Sequence, residues 1–326
     1  MNIRLWMDGM RPRTLPASVA PVCVGASAAL LERSRLLEQC TSSCSPTPVD
    51  PALKAATPGR LALIVVLLVL LALSMQIAAN FANDYADGVR GTDSGRGGDE
   101  AASGRPRRLV AAGVPPRKVL YATMISAGFT CLMGLAVMAL TGHWWMILVG
   151  VCCLVAGWCY VGGPHPYGYH GLGEVSVFIF FGLVATLGTE YFLINRVDVA
   201  GILGACVCGL NAVGLLMLNN YRDLEDDRRA GKHTYAVLVG ARAAAISIYS
   251  VYILSLVLGL IQFVPAVMRR GLPGFPLVLV LLPVAAVFLL ICRAFARGQV
   301  PKAFGMAGKG TLVSALCWSA GLLLQL

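Results

Sequence analysis

The sequence predicts an all-α, multi-pass membrane protein of nine transmembrane helices, arranged as two pseudo-repeated halves around a central cavity. Three observations predict the helical membrane class. Apolar residues make up 57% of the chain and charged residues 13%, with a mean hydropathy of +0.74, whereas soluble domains carry about 25% charged residues. From Leu61 to Asn83 there is no charge over 23 positions, more than the roughly 20 residues a helix needs to cross a hydrocarbon core. The apolar runs are also continuous and rich in Leu, Val, Ala and Gly, where barrel strands would alternate over about 10 residues.

Taken in order, the first run, 14–31, follows a charged start and is interrupted by Pro16 and Pro21. It ends on no convincing cleavage signature, so it reads as a span rather than a signal peptide. The polar, Ser/Pro-rich stretch 32–60 reads as a flexible loop, with Cys40 and Cys44 placed to pair in an oxidising compartment. Runs 61–83, 119–140 and 143–160 follow, the last opening on His143, Trp144 and Trp145, an interfacial aromatic belt. Run 172–194 carries Glu190 near its far end, from where the side chain is expected to reach the interface. Runs 199–219, 241–264, 275–292 and 308–325 complete the nine. The other cysteines are scattered through apolar runs as small hydrophobes, without zinc-ligand spacing. The whole chain, 1–326, reads as one integral membrane domain.

Nine spans put the termini on opposite sides, and the cations give the orientation. The side holding the N-terminus carries 19 of the 26 Lys and Arg residues, which places it in the cytoplasm by the positive-inside tendency. The net charge of +10 then reads as topology and attraction to anionic membrane lipid. The basic residues are dispersed among membrane-adjacent loops, which argues against nucleic-acid binding.

The acidic residues are less evenly spread. Nine of the 16 lie in two cytoplasmic patches: Asp84, Asp87, Asp93, Asp99 and Glu100, then Asp223, Glu225, Asp226 and Asp227. Both patches open on one spelling, Asn83-Asp84-Tyr85-Ala86-Asp87 and Asn219-Asn220-Tyr221-Arg222-Asp223, and this Asn-x-Tyr-x-Asp echo suggests two related halves. If helices continue through them, Asn83 and Asp87 share a face, as do Asp223 and Asp227. Carboxylates so placed can chelate Mg²⁺, which takes oxygen ligands and is usually held by one or two carboxylates plus substrate phosphates. Arg105, Arg107 and Arg108 follow the first patch and Arg228, Arg229 and Lys232 the second, cations suited to a departing diphosphate. A single such patch would read as a solvated helix end; two with a shared pattern read as a site.

The loop 161–171 carries neither Lys nor Arg, yet Tyr160, His165, Tyr167, Tyr169 and His170 cluster in or beside it. Aromatic faces can stabilise a carbocation, and Tyr also anchors helices at interfaces. Glu174, just inside the next span, can orient an acceptor hydroxyl or cap its helix. Arg11 and Arg13 can meet an acceptor carboxylate or simply set topology.

The segments NDYADGVRGTD (83–93) and NNYRDLEDDRRAGK (219–232) resemble the two Asp-rich motifs of the UbiA superfamily of intramembrane prenyltransferases. RPRTLPASVAPV (11–22), RPRRLVAAG (105–113) and YVGGPHPYGYHGLGE (160–174) are similar to its 1,4-dihydroxy-2-naphthoate polyprenyltransferase branch. The resemblance implies transfer of a polyprenyl group from polyprenyl diphosphate to 1,4-dihydroxy-2-naphthoate in menaquinone biosynthesis, in the plasma membrane. It implies Asp84, Asp87, Asp223 and Asp227 as catalytic, and Asn83, Asp84, Asp87, Asp93, Asp223 and Asp227 as Mg²⁺ ligands. Gly91 stands where many members carry an acidic residue, so Asp93 is a displaced ligand. Asn83, Arg105, Arg108, Arg228 and Lys232 would bind diphosphate; Tyr160, Tyr167, Glu174 and Arg13 would bind the acceptor. Another aromatic acceptor such as 4-hydroxybenzoate is an alternative. A secondary transporter is the rival of a different class, disfavoured because the clusters sit at helix ends beside cations rather than near the midplane.

Overall fold

The computed structural model describes residues 3–42, 57–92 and 107–326, and among them no strand occurs. The helices are α1 (Ile3–Met10), α2 (Pro16–Ser42), α3 (Pro58–Arg90), α4 (Pro116–Thr141) and α5 (Met146–Val161). After these come α6 (Gly173–Ile194), α7 (Val199–Arg222), α8 (Leu224–Arg229), α9 (Tyr235–Arg270), α10 (Pro276–Ala296) and α11 (Val300–Leu323). Six of them, α3, α4, α6, α7, α9 and α10, are long and apolar enough to cross a membrane, and α5 is apolar but shorter. The spans expected at 14–31 and 308–325 fall in α2 and α11, long helices that are not among these six.

Local chemistry marks the ends of these helices. The Thr57 hydroxyl accepts from the Arg60 N–H, Pro58 occupies the first turn, and Gly91 closes α3 in the left-handed region at φ 75°. Helix α3 runs seven residues past the expected end at Asn83, so the first acidic motif lies on helix rather than loop. Helix α2 reaches Ser42, which shortens the expected loop 32–60; the side chains of Cys40 and Cys44 lie outside the described residues. Within α6 the segment Phe178–Val184 is π-helical. It packs on α7 through Gly182 and Gly209, whose backbones approach so closely that a Cβ on Gly182 would lie 2.6 Å from Gly209 Cα. Such small-residue contacts are how helices associate where lipid offers no hydrophobic drive.

Helix α7 is the interior element: 67% of its apolar window is buried, against 22–33% in the other long apolar helices. Its Leu218 packs with Ile248 of α9 and Ile291 of α10 in one core. A second core joins Val24 of α2 to Phe263 and Trp318. Buried polar groups that bond between helices include Ser74 with Thr130 at 2.8 Å and Asn211 with Ser314 at 2.9 Å. The outward faces of α4, α5 and α9 present Ile125, Leu132, Leu148, Val155, Ile253 and Ile261, apolar surface suited to acyl chains. Glu190 departs from its expected place at the interface. It is fully buried and accepts the Asp198 N–H at 3.0 Å, beside the start of α7 where free backbone N–H groups favour a carboxylate.

Candidate active site

The extension of α3 brings Asn83 and Asp87 onto one helical face, as i,i+4 spacing requires. The second motif is built differently. Helix α7 stops at Arg222, Asp223 forms the junction, and α8 begins at Leu224. The Asp227 N–H still bonds the Asp223 carbonyl at 2.8 Å, so the one-turn spacing survives the break.

Asn83, Asp87, Asn219, Asp223 and Asp227 all line one cavity of about 1130 Å³. Lys232, Arg222, Arg107 and Arg108 line the same space, as do Arg11 and Arg13 from the α1–α2 connection. That connection is tied down by Asn80, whose amide donates to the Met10 carbonyl at 2.8 Å, and Arg11 takes a positive φ of 52°. The cavity also follows α3 down to Leu68, past Met75 and Leu71, facing Leu135 of α4, Leu154 of α5 and Phe181 of α6. At about 1.5 Å per residue, the stretch of α3 between Leu68 and Asp87 is roughly 28 Å long. The space is therefore polar at one end and apolar along most of its length.

Asp87 joins the first motif to two partners distant in sequence. Its Oδ1 accepts from Lys232 Nζ at 2.9 Å and from the Tyr169 hydroxyl. Lys232 Nζ and the Arg90 guanidinium lie 4.7 and 5.3 Å from the Tyr169 ring centre, and the His233 N–H bonds the Tyr169 carbonyl at 2.9 Å. Burial, followed by the Asp87 charge, pushes the Tyr169 hydroxyl pKa above its ordinary value, so this group stays a donor. Asp223 is gripped by Arg222, which donates to both carboxylate oxygens at 2.9 and 2.8 Å, reaches Asn219 Oδ1 at 2.8 Å and covers the Phe304 ring.

The structure thus brings together Asn83, Asp87, Asp223, Asp227, Lys232, Arg108, Arg13, Tyr160 and Tyr167 of the expected residues. Tyr160 stacks edge-on against Tyr167, whose hydroxyl bonds the Ala156 carbonyl at 2.8 Å. Three expected residues sit elsewhere. Asp84 is buried behind the cavity wall and accepts the Leu109 and Val110 N–H groups. Arg228 is exposed and pairs with Glu225 at 3.0 Å. Glu174 stands one layer back, accepting from Asn220, which itself lines the cavity. Asp93 and Arg105 lie outside the described residues. Sequence reasoning missed Arg222, Tyr169 as a partner of Asp87, and Asn80; the position of Arg222 inside the second Asn-x-Tyr-x-Asp motif was the available signal.

Among the described residues no three His, Cys, Asp or Glu side chains converge as a metal site. The donors that line the cavity are carboxylate and amide oxygens from two separate motifs, a set that fits a hard cation sharing its coordination with phosphate.

Comparison with known proteins agrees with this arrangement. Residues 48–307 match the model of the UbiA prenyltransferase family. The 1,4-dihydroxy-2-naphthoate octaprenyltransferase of Mycobacterium tuberculosis is 41% identical over 236 residues, covering 72% of this chain and 70% of that protein. The enzyme of the same name from Escherichia coli is 31% identical, covering 72% and 68%. Among solved structures, a UbiA homologue from Aeropyrum pernix superposes with a TM-score of 0.59 at 16% identity, covering 94% of this chain and 96% of that one. A homologue from Archaeoglobus fulgidus, solved with GPP and Mg²⁺, gives 0.57 at 13% identity, covering 97% and 99%. With six membrane-competent helices among the described residues and this match over most of its length, the chain belongs to the UbiA prenyltransferase family of integral membrane proteins.

Proposed function

We propose that the protein transfers a polyprenyl group from an allylic polyprenyl diphosphate to 1,4-dihydroxy-2-naphthoate with loss of CO₂, giving demethylmenaquinol, the reduced form of demethylmenaquinone, in menaquinone biosynthesis. The observation that carries this reading is one cavity lined by Asp87, Asp223 and Asp227, flanked by Lys232 and Arg222, and continued by an apolar lining along α3. Its polar end fits a diphosphate and its apolar length a polyprenyl chain. The relatives named for this reaction, about 40% identical to the chain, support the choice of acceptor.

Asp87, Asp223 and Asp227 are the carboxylates that would hold Mg²⁺, whose charge would neutralise the diphosphate as the C–O bond breaks. Asn83 and Asn219 add amide oxygens to those donors. Lys232 and Arg222, now engaged with Asp87 and Asp223, are placed to meet diphosphate oxygens and to stabilise the departing anion, which takes the electron pair of the broken bond. Tyr160 and Tyr167 offer ring faces beside the carbocation, and Arg13 a cation for the acceptor carboxylate. A ring carbon of the naphthoate forms the new C–C bond and its carboxylate leaves as CO₂.

The same reading includes nine spans in a single domain of two related halves, in the plasma membrane, with the N-terminus and the site facing the cytoplasm. Its test is prenyl transfer by the purified protein in detergent, offered 1,4-dihydroxy-2-naphthoate or 4-hydroxybenzoate, with Mg²⁺ or with chelator. Metal-dependent product from the naphthoate alone supports it. Product from the benzoate alone overturns the acceptor, and product that survives the chelator overturns the metal.

A further inference from the structure

We propose that Asp84 is a positioning residue rather than a metal ligand: its carboxylate anchors the basic turn that carries Arg107 and Arg108 to the diphosphate. The assignment rests on the function proposed above and concerns how that site is assembled.

Asp84 follows Asn83 directly, and one residue turns an α-helix by about 100°. Where Asn83 and Asp87 face the cavity, Asp84 faces away and is 1% exposed. Each of its oxygens is used. Oδ2 accepts the Leu109 N–H at 2.8 Å and Oδ1 the Val110 N–H at 3.2 Å. The turn closes on itself through Ala112 N–H to Arg108 C=O at 2.8 Å and Val114 N–H to Leu109 C=O at 2.9 Å. Leu109 is wholly buried against Phe81 and Val119.

The surrounding surface is cut to receive this turn. A Cβ on Gly88 would lie 2.3 Å from Val110 Cβ, and one on Gly9 would lie 2.7 Å from Leu109 Cδ1. The two residues that precede the anchored amides are Arg107 and Arg108, and both line the cavity that Asp87 lines. A carboxylate on one side of α3 thus sets where two cations stand relative to a carboxylate on the other. The turn rests on Asp84 electrostatically and on Gly88 sterically, two independent supports one helical turn apart.

The test is titration of the purified full-length protein with Mg²⁺-pyrophosphate, beside measurement of the Mg²⁺ concentration that half-saturates prenyl transfer. Asp84→Ala and Gly88→Ala are each expected to weaken pyrophosphate binding about tenfold, the scale of a lost charge-assisted contact, with Mg²⁺ half-saturation unchanged. Arg108→Gln is expected to cost much less in the Asp84→Ala background than alone, because the arginine is already misplaced. A change in Mg²⁺ half-saturation in Asp84→Ala but not in Gly88→Ala would make Asp84 a direct ligand and overturn the assignment. Additive effects of Asp84→Ala and Arg108→Gln, or wild-type pyrophosphate affinity in Gly88→Ala, would also overturn it. Pyrophosphate binding needs no acceptor, so failure of the wild type to prenylate the naphthoate counts against the proposed function alone.

Discussion

Lys232 Nζ donates to Asp87 Oδ1 at 2.9 Å, joining residues 145 positions apart. This contact couples the two acidic motifs, because Lys232 follows the second and Asp87 belongs to the first. Before substrate arrives it also gives each charge a partner, which buried ions require.

Lys232→Met removes that cation while keeping most of the side chain's volume. The expected outcome is a donor KM raised about tenfold, equivalent to ~1.4 kcal/mol, with the acceptor KM unchanged. Steady-state kinetics with each substrate varied in turn checks it.

Tyr169→Phe keeps the ring that Lys232 and Arg90 approach and removes only the hydroxyl that donates to Asp87. The expected loss is about tenfold in kcat, the scale of one hydrogen bond to a charged group, with the protein's melting temperature nearly unchanged. Single-turnover rates and thermal unfolding of the same preparation check it.

The same tyrosine gives a pH dependence. Burial and the Asp87 charge raise its pKa in the folded protein above the ordinary 10.0. Above about pH 10 the unfolded chain therefore binds fewer protons than the folded one, and stability falls as pH rises. The contribution is complete below the unfolded pKa and is lost as pH rises through the folded one. Melting temperatures taken from about pH 9 to 11 should fall more steeply in the wild type than in Tyr169→Phe.

Gly182→Leu would force a side chain into the contact with Gly209, where even a Cβ lies 2.6 Å from backbone. Overpacking of this kind costs roughly 1–3 kcal/mol or more. A lower melting temperature in detergent is expected, and a wild-type value would show that α6 and α7 can separate without cost.

The helical class, and the choice of Asp87, Asp223, Asp227 and Lys232 as candidates that now line one cavity, were legible because they depend on local signals: uncharged runs and one spelling used twice. The ends of the helices were less legible. A run bounded by its first charge stops at Asn83, yet α3 continues to Arg90, because Asp84 and Asp87 find partners inside the protein. Asp84 and Asp87 look alike in sequence, and the helical period that pairs Asn83 with Asp87 already turns Asp84 aside. The Tyr169 contact closes 82 positions of chain and has no local signature. Glu190 near the end of an apolar run reads as interfacial, but α7 begins beside it and supplies a backbone donor.

The central claim is that the two motifs act together on one diphosphate, and the most direct test is turnover by Asp87→Ala and Asp223→Ala. Both should insert and purify like the wild type, since neither change touches the uncharged runs 61–83 and 199–219, and both should lose Mg²⁺-dependent prenyl transfer by about a hundredfold or more. Wild-type turnover in either variant would contradict the claim.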